Sequence, residues 1–475
     1  MPPKIKNPIA ISIEQFLGNV LICGGSIIQI FTLVAWLIVQ LQKAGVQVIV
    51  EDFRGFWRCL LNLSGDCAVF RSHEVPRNLL QPNGNRKEFA SAITREIGKS
   101  CGMMPTTANA CFSIIEGSYR SVRAGEPHLS FIEFQKKLRS LSQQWKNPKF
   151  DTAARSLEPL ISLLGDCAYL KKAPDIFEQF GTIVFEHGRL PKQWYGLFAA
   201  HNYFSCQTGA ALQDNKVKRV IVFPDGDEVF AKELSESSHS GYVPPFKRSL
   251  GSGAFHGIGH IVGAQFPSSL DPSILGQFKT VACFQCRNPK DARTVQPLQH
   301  LPEEMIGISA TLLENEFILF SEGFSGPTRL SLEPFKFGNS SSDSDVADRM
   351  SPILSQLKTE CVFSQQTEDE NLPIEFENPI HKGNEVNPAH ENVNETFRPN
   401  EFQEVREFLR VVAENPELGV SKLYKLAGLN SDKGNRLKNS LVESGLVTAE
   451  ERRTSFTGRP SVVLALTNKA KELCL

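Results

Sequence analysis

The sequence lacks an excess of charge of either sign: 51 Lys and Arg stand against 52 Asp and Glu over 475 residues. That excludes a chain held to nucleic acid or membrane by bulk charge, so any such contact must be local. Cysteine is sparse, 11 in the whole chain, which excludes a disulfide scaffold and makes a reducing cytoplasm the expected setting. Cys283-Phe-Gln-Cys286 has no second Cys pair or His pair near it to complete a tetrahedral zinc site and reads as buried strand. His256 and His260 stand four apart, but Gly253, Gly257 and Gly259 argue against the helix that would make them joint ligands, so no metal is expected. With 41% hydrophobic and 22% charged residues, the chain is neither disordered throughout nor fibrous, and its length suggests about three units.

Charge is also missing between Glu14 and Lys43, and Val20 to Leu41 is long enough to cross a bilayer as one helix. Against a span stand Gly24-Gly25-Ser26 and the polar Gln29, Thr32 and Gln40. The better reading is a strand Asn19–Cys23, a glycine turn, a helix, and a second buried strand within Ala44–Asp52: a βαβ unit. A phosphate-binding turn at that place needs G-x-x-x-x-G-K-[ST]. Here Gly24 and Gly25 remain, but Gln29 stands for the second glycine, Ile30 for the lysine and Phe31 for the hydroxyl.

Three further segments follow in order. Arg219-Val-Ile-Val-Phe-Pro224-Asp225-Gly-Asp227-Glu228 is an apolar strand ending in acids. Gly257 to Gln265, then Phe266-Pro, is a second apolar strand, and Asn288-Pro-Lys-Asp-Ala-Arg293 lies beyond the next one. Together with Lys43 to Gly55, these resemble the HerA/FtsK-type superfamily of DNA-pumping P-loop ATPases over about residues 10 to 337. The resemblance implies a P-loop NTPase-like α/β fold with a mainly parallel sheet, occupying 10–70 and 193–337, with a helical insertion over 71–192. Stretches such as 87–97 and 130–141, with apolar residues three and four apart, agree with that insertion.

The same alignment exposes losses wherever the superfamily does chemistry. Pro224 takes the place of the magnesium-binding aspartate and Asp225 that of the glutamate that polarises water. Gly251 and Ala254 stand where the family offers arginines across a subunit interface; after the sensor-like Gln265, Phe266 replaces another arginine. Each such group is worth orders of magnitude in rate, so their joint absence implies a pseudo-ATPase with no catalytic residues and no cofactor. Asp227-Glu228 could supply the acidic pair if the alignment is shifted.

From 338 to 400 the composition turns to Ser, Asp, Glu, Asn and Pro, with twelve acidic against four basic residues, and reads as a flexible linker. Residues 401–475 then show three short helical segments and a hairpin ending Gly458-Arg-Pro, which resembles a winged helix-turn-helix, a small α+β domain. From Gly419 onward ten Lys and Arg outnumber five Asp and Glu. Lys433, Asn435, Arg436, Lys438 and Asn439 on the presumed recognition helix, with Arg452, Arg453 and Arg459 in the wing, suit contact with double-stranded DNA.

These resemblances together imply a cytoplasmic, non-hydrolysing, DNA-bound subunit beside an active HerA/FtsK-like translocase or a copy of itself. Two other readings stay open at this stage. One is an active ATP- and magnesium-dependent translocase or helicase with an atypical site; the other is a membrane-anchored coupling protein of the conjugation type. A winged helix that docks protein rather than DNA is the alternative for the C-terminal part.

Overall fold

A computed structural model describes residues 5–6, 12–63, 65–122, 126–209, 217–232, 244–252, 257–322, 325–333, 341–364, 402–415, 418, 420–427, 429, 431–443, 447–452 and 461–467. The chain divides into two units, Met1–Glu368 and Asp369–Leu475.

The first unit is built on a ten-stranded sheet. Its strands in chain order are β1 (Ile5–Lys6), β2 (Asn19–Cys23), β3 (Gln47–Asp52), β4 (Cys67–Arg71), β6 (Thr182–Glu186), β7 (Arg219–Phe223), β8 (Ile258–Ala264), β9 (Thr280–Cys283), β10 (Glu316–Ser321) and β11 (Thr328–Leu332), while β5 (Leu170–Lys172) lies elsewhere. Across the sheet they run β1-β11-β10-β9-β2-β8-β7-β3-β6-β4, and the seven from β9 to β4 are parallel. Every residue of β6, β7 and β8 is buried, as expected of parallel strands covered on both faces.

The expected βαβ unit is present as β2, a helix Ile27–Lys43 and β3. Ile30, Leu33, Val34, Leu37, Ile38 and Leu41 recur at helical spacing and are all fully buried against the sheet. The apolar stretch from Val20 to Leu41 is therefore a strand, a turn and a core helix, and among the described residues no helix is long and apolar enough to cross a membrane.

Two features depart from the expected layout. Between 71 and 192 lie five helices, Arg86–Ser100, Pro105–Ser121, Phe131–Trp145, Pro148–Ser156 and Glu158–Leu164, but β6 also lies there and returns to the main sheet. Within 338–400, the helix Asp343–Thr359 and β12 (Val362–Phe363) are part of the first unit. The helix lays Val346, Met350 and Leu357 against the core beside edge strand β4, Arg349 Nη1 donates to Leu61 O at 2.7 Å, and β12 pairs with β5. A helix across an edge strand shields its unpaired backbone groups. Arg58, Arg71 and Arg189 converge on Asp343 at its first turn.

The second unit consists of helices Phe402–Glu414, Val420–Leu426 and Ser431–Glu443 and an antiparallel hairpin, β13 (Val447–Arg452) with β14 (Ser461–Leu466). Phe408, Leu409, Val412, Leu423, Tyr424, Leu441, Val447 and Leu464 form its core.

Candidate functional site

In parallel α/β sheets ligands gather at the carboxyl ends of the strands. Here those ends carry Gly24 after β2, Asp52 as the last residue of β3, Asp225 after β7 and Gln265 after β8. Gly24, Asp225 and Gln265, singled out in the sequence, thus stand at the ends of the neighbouring strands β2, β7 and β8.

At the first of them the connection from β2 to the helix is only three residues, Gly24, Gly25 and Ser26. Ile27 to Phe31, which the motif would place in a loop and the first helical turn, already lie within the helix. Its start is set by a capping box: Gln29 N donates to Ser26 Oγ at 3.3 Å, and Ser26 N donates to Gln29 Oε1 at 2.6 Å. The other end of the Gln29 amide donates to Glu314 O. Gly24 N donates to Ala264 O at 3.2 Å and Gly25 N to Gln285 O at 2.8 Å. The amides that a phosphate loop would turn toward its ligand are thus bonded to the chain's own oxygens. Both glycines have positive φ, +73° and +65°, and a Cβ on Gly24 would stand 2.9 Å from both Cys286 Sγ and Phe284 O.

Ile30 is fully buried, and Phe31 packs against Phe56 and Trp57 with ring centroids 5.7 and 5.1 Å away. A Cβ on Gly263 of β8 would come within 2.9 Å of Ile30 Cγ2 and 2.4 Å of Pro224 O, so the side chain at the lysine position and the backbone just beyond β7 both close on that glycine. The Gly98-Lys99-Ser100 tripeptide elsewhere in the chain closes the helix Arg86–Ser100 rather than opening one after a strand.

The acidic groups are also engaged. Asp52 accepts from Arg54 N, Gly55 N and Trp57 N at 3.1, 2.7 and 2.8 Å and so shapes the loop after β3; burial, opposed by those bonds, raises its pKa. Asp225 has a fully buried side chain whose Oδ1 lies 3.0 Å from Arg54 Nε, and among the described residues no aligned hydrogen bond reaches either oxygen. Burial pushes its pKa up to about 7 against the attraction of Arg54, with Asp52, Glu228 and Asp227 adding repulsion. Asp227 accepts from Gln265 N and Ser269 Oγ, both at 2.9 Å, and Glu228 accepts from Lys192 Nζ at 2.7 Å. Among the described residues no cluster of His, Cys, Asp and Glu is disposed to hold a metal ion.

Beside the glycine turn lies a cavity of about 820 Å³ lined by Ser26, Gln265, Phe266, Arg287, Asn288 and Leu313 among others. Phe266 is 53% exposed there. Gly251 is exposed on the helix Pro245–Ser252, and Ala254 lies outside the described residues. Cys283 ends β9 with its Sγ 3.5 Å from that of Cys286, and both are buried, but the expected strand stops at Cys283 and Cys286 lies in the segment beyond it. His260 is buried on β8 between Ser249 Oγ at 2.7 Å and Asn19 Oδ1 at 3.0 Å, while His256 lies outside the described residues.

Sequence reasoning missed three features here. The Ser26-x-x-Gln29 box had a readable signature, Ser and Gln three apart before an apolar run. Arg54 lay within a quoted segment, but its pairing with Asp225 spans 171 positions and has no local signal. The third is a buried chain: Ser72 Oγ lies 3.0 Å from His187 Nδ1, and His187 Nε2 lies 2.5 Å from Glu51 Oε2. Its order is that of a serine hydrolase triad, but Ser72 and His187 are fully buried and Glu51 nearly so. Asn202 Nδ2 donates to Glu51 Oε1 at 3.0 Å and Arg77 Nη1 to Asn202 Oδ1 at 2.5 Å, so the network ties β3, β4 and β6 to the helix Tyr195–Gly209.

In the second unit Lys433, Asn435, Arg436, Lys438 and Asn439 all fall on the helix Ser431–Glu443. Asn435 and Asn439 are exposed and Lys438 half-buried, whereas Gly434 and Leu441 face inward. Arg452 ends β13; Arg453 and Arg459 lie outside the described residues.

No protein-family profile matches the sequence, and no curated protein matches it. Solved structures do. VirB4 of Thermoanaerobacter pseudethanolicus is similar with a TM-score of 0.52 and 14% identity, covering 68% of this chain and 91% of its own. The plasmid coupling protein TrwB in complex with ADP and Mg2+ reaches a TM-score of 0.48 at 11% identity over 70% of this chain and 89% of its own. The genome packaging NTPase B204 of Sulfolobus turreted icosahedral virus 2 reaches 0.32 at 11% identity over 67% and 98%. The first of these, with the parallel sheet and its strand order, shows that the chain has the P-loop NTPase-like α/β fold that VirB4 has.

Proposed function

We propose that this chain is a pseudo-ATPase of the HerA/FtsK-like group that binds double-stranded DNA through its C-terminal unit and works beside an active DNA translocase. The observation that carries the first half is the closed turn. Gly24, Gly25 and Ser26 have their amides bonded within the chain, and Ile30 and Phe31 are core residues. A triphosphate would meet neither free amides nor a cation from the lysine position. The residues present therefore do not fit magnesium-nucleotide, and no chemical step is derived through it. Asp227 and Glu228, the candidates for a displaced acidic pair, are engaged with Gln265, Ser269 and Lys192. With Gly251 where the group carries a trans-acting arginine, a ring of identical copies would be inert as a motor, which favours a partner that supplies the hydrolysis.

The second half is supported by three helices followed by a hairpin and by a helix Ser431–Glu443 with exposed amides and a basic composition. Such a helix with a wing behind it suits groove contact and phosphate neutralisation.

Nucleotide and DNA are tested separately. A ligand at a hundred times its dissociation constant stabilises a protein by about 2.7 kcal/mol. Millimolar ATP-magnesium is expected to leave the melting temperature unmoved and to be recovered unhydrolysed; a rise of several degrees that Ile30→Asp abolishes would overturn the pseudo-ATPase reading. Duplex affinity is expected to fall with salt at a log-log slope of about −4 to −5, corresponding to roughly four to six phosphates. Lys433, Arg436 and Lys438 changed together to alanine should flatten that slope, and salt-independent or absent binding would favour protein docking instead.

A further inference from the structure

Asn435 is exposed, yet its side chain is not free to rotate. Tyr424, on the preceding helix Val420–Leu426, donates its hydroxyl to Asn435 Oδ1 at 3.0 Å. Tyr424 is itself buried and packs against Phe408 at 5.9 Å between ring centroids. Burial pushes its pKa up to about 12, so the hydroxyl keeps its proton across the working pH range and remains a donor. The close approach depends on Gly434: a Cβ there would lie 2.5 Å from the Tyr424 ring. Glycine beside Asn435 lets the ring pass under the helix and reach the amide oxygen.

A carbonyl oxygen has two lone pairs, so Oδ1 can accept from Tyr424 and still accept once more, while Nδ2 keeps both its protons to donate. The outward-facing pattern is one acceptor and one donor in a fixed order. In the major groove, that pattern complements adenine, which offers N6–H and N7, and opposes guanine, which offers two acceptors.

We propose that Tyr424 is a positioning residue that locks the Asn435 amide for bidentate reading of an adenine edge in duplex DNA. The inference rests on the DNA-binding reading of the C-terminal unit and deepens it: lysines and arginines supply affinity, and this pair supplies preference. Tyr424 acts through Asn435 and touches no base. Ordering an exposed amide before binding removes a rotamer cost that a free asparagine would pay on contact.

The test uses the full chain. A preferred duplex is first selected from a randomised library, and its affinity is compared with that of a duplex carrying guanine in place of the preferred adenine. A good bidentate contact discriminates by roughly five- to a hundredfold. Asn435→Ala should abolish that discrimination at one base pair, and Tyr424→Phe, which removes only the hydroxyl, should lower it by about fivefold. Combined, the two should do no more than Asn435→Ala alone, because Tyr424 acts only through the amide. The salt slope and the affinity for random duplex should stay at the wild-type values in Tyr424→Phe. A tie that merely holds two helices together would show the reverse: a lower melting temperature and uniformly weaker binding, with adenine preference unchanged. That result, or additive effects in the double variant, overturns the inference. Duplex binding without any base preference that depends on Asn435 overturns it as well. A wild-type chain that binds no duplex at all overturns the underlying DNA reading instead. Gly434→Ala, which displaces the ring, should reproduce the loss of preference, and Tyr424→Phe keeps the test decisive if that variant does not fold.

Discussion

The turn after β2 and the helix Ser431–Glu443 both begin from short polar segments, but they dispose of their polar groups in opposite ways. At Gly24-Gly25-Ser26 the amides bond to Ala264, Gln285 and the Gln29 side chain, and the helix that follows buries Ile30 and Phe31. On the other helix Asn435 and Asn439 face solvent, and the one that is tethered, Asn435, is held at its oxygen with its amino group left over. On the proposed reading, the difference teaches how a fold can persist without a ligand at its turn. A vacated phosphate turn would leave unpaired buried donors, each costing about 1–3 kcal/mol, unless the chain satisfies them itself. Here the capping box, the β8 end and the segment after β9 do so. An interface for an external partner must instead keep its donors available.

The comparison breaks most visibly if the closed turn can be reopened. Ile30→Lys restores the missing cation in name but places a charge in a fully buried site, so it should destabilise the chain by roughly 4 kcal/mol without restoring nucleotide binding. Chemical denaturation together with nucleotide titration checks both halves. A stable Ile30→Lys protein that binds ATP-magnesium would show that the site is dormant rather than lost.

The next effect comes from Asp225. An unfolded aspartate titrates near 3.9, whereas burial pushes Asp225 up to about 7. Between these values the folded state holds the proton more tightly. Asp225 therefore costs stability increasingly as pH rises from about 4 to about 7, and costs nothing below that window. Asp225→Asn should accordingly be more stable than the wild type at pH 8, by on the order of 2 kcal/mol, with the gain vanishing toward pH 4. Arg54, left without its partner, is 38% exposed and retains Glu228 at 4.0 Å. Unfolding curves across that range decide it; a variant less stable at pH 8 would mean that the Arg54 pair outweighs burial.

Smaller still is the cap. Ser26→Ala removes the oxygen that accepts from Gln29 N and should cost about 1 kcal/mol, again without gain of nucleotide binding. The smallest effect sharpens the other side of the comparison: Lys438→Ala should make the salt dependence of duplex binding shallower by about 0.9, one phosphate's share, and leave the melting temperature alone.

Legibility tracked the range of the interactions. The β2–helix–β3 unit could be read because its signals are local: an apolar run, two glycines, then apolar residues at helical spacing. β6 was harder, since Thr182-Ile-Val-Phe-Glu186 is a short apolar run that periodicity alone cannot separate from a helical segment within a helical neighbourhood. The helix Asp343–Thr359 carries Val346, Met350 and Leu357 at helical spacing, but its serine- and acid-rich start suggested a linker. Those same residues are its N-terminal cap: Asp345 N donates to Ser342 Oγ at 3.2 Å, and Asp343 meets three arginines distant in the chain.

What the sequence by itself determined is the β2–helix–β3 unit, the residue types Gln29, Ile30, Phe31 and Pro224 at the places that the resemblance assigns to nucleotide chemistry, and the reversal of charge toward the C-terminus. These depend on residue type and spacing along the chain. Only the tertiary structure decided that the glycine turn is closed by its own capping box, that Ile30 and Pro224 O both close on Gly263, and that Asp225 is buried beside Arg54. It also decided which end of the Asn435 amide Tyr424 holds. Each of these depends on atoms brought together across a sheet or between helices, where burial sets the pKa of a carboxyl and a neighbour's hydroxyl sets the direction of an amide, and neither burial nor direction is written in the order of residues.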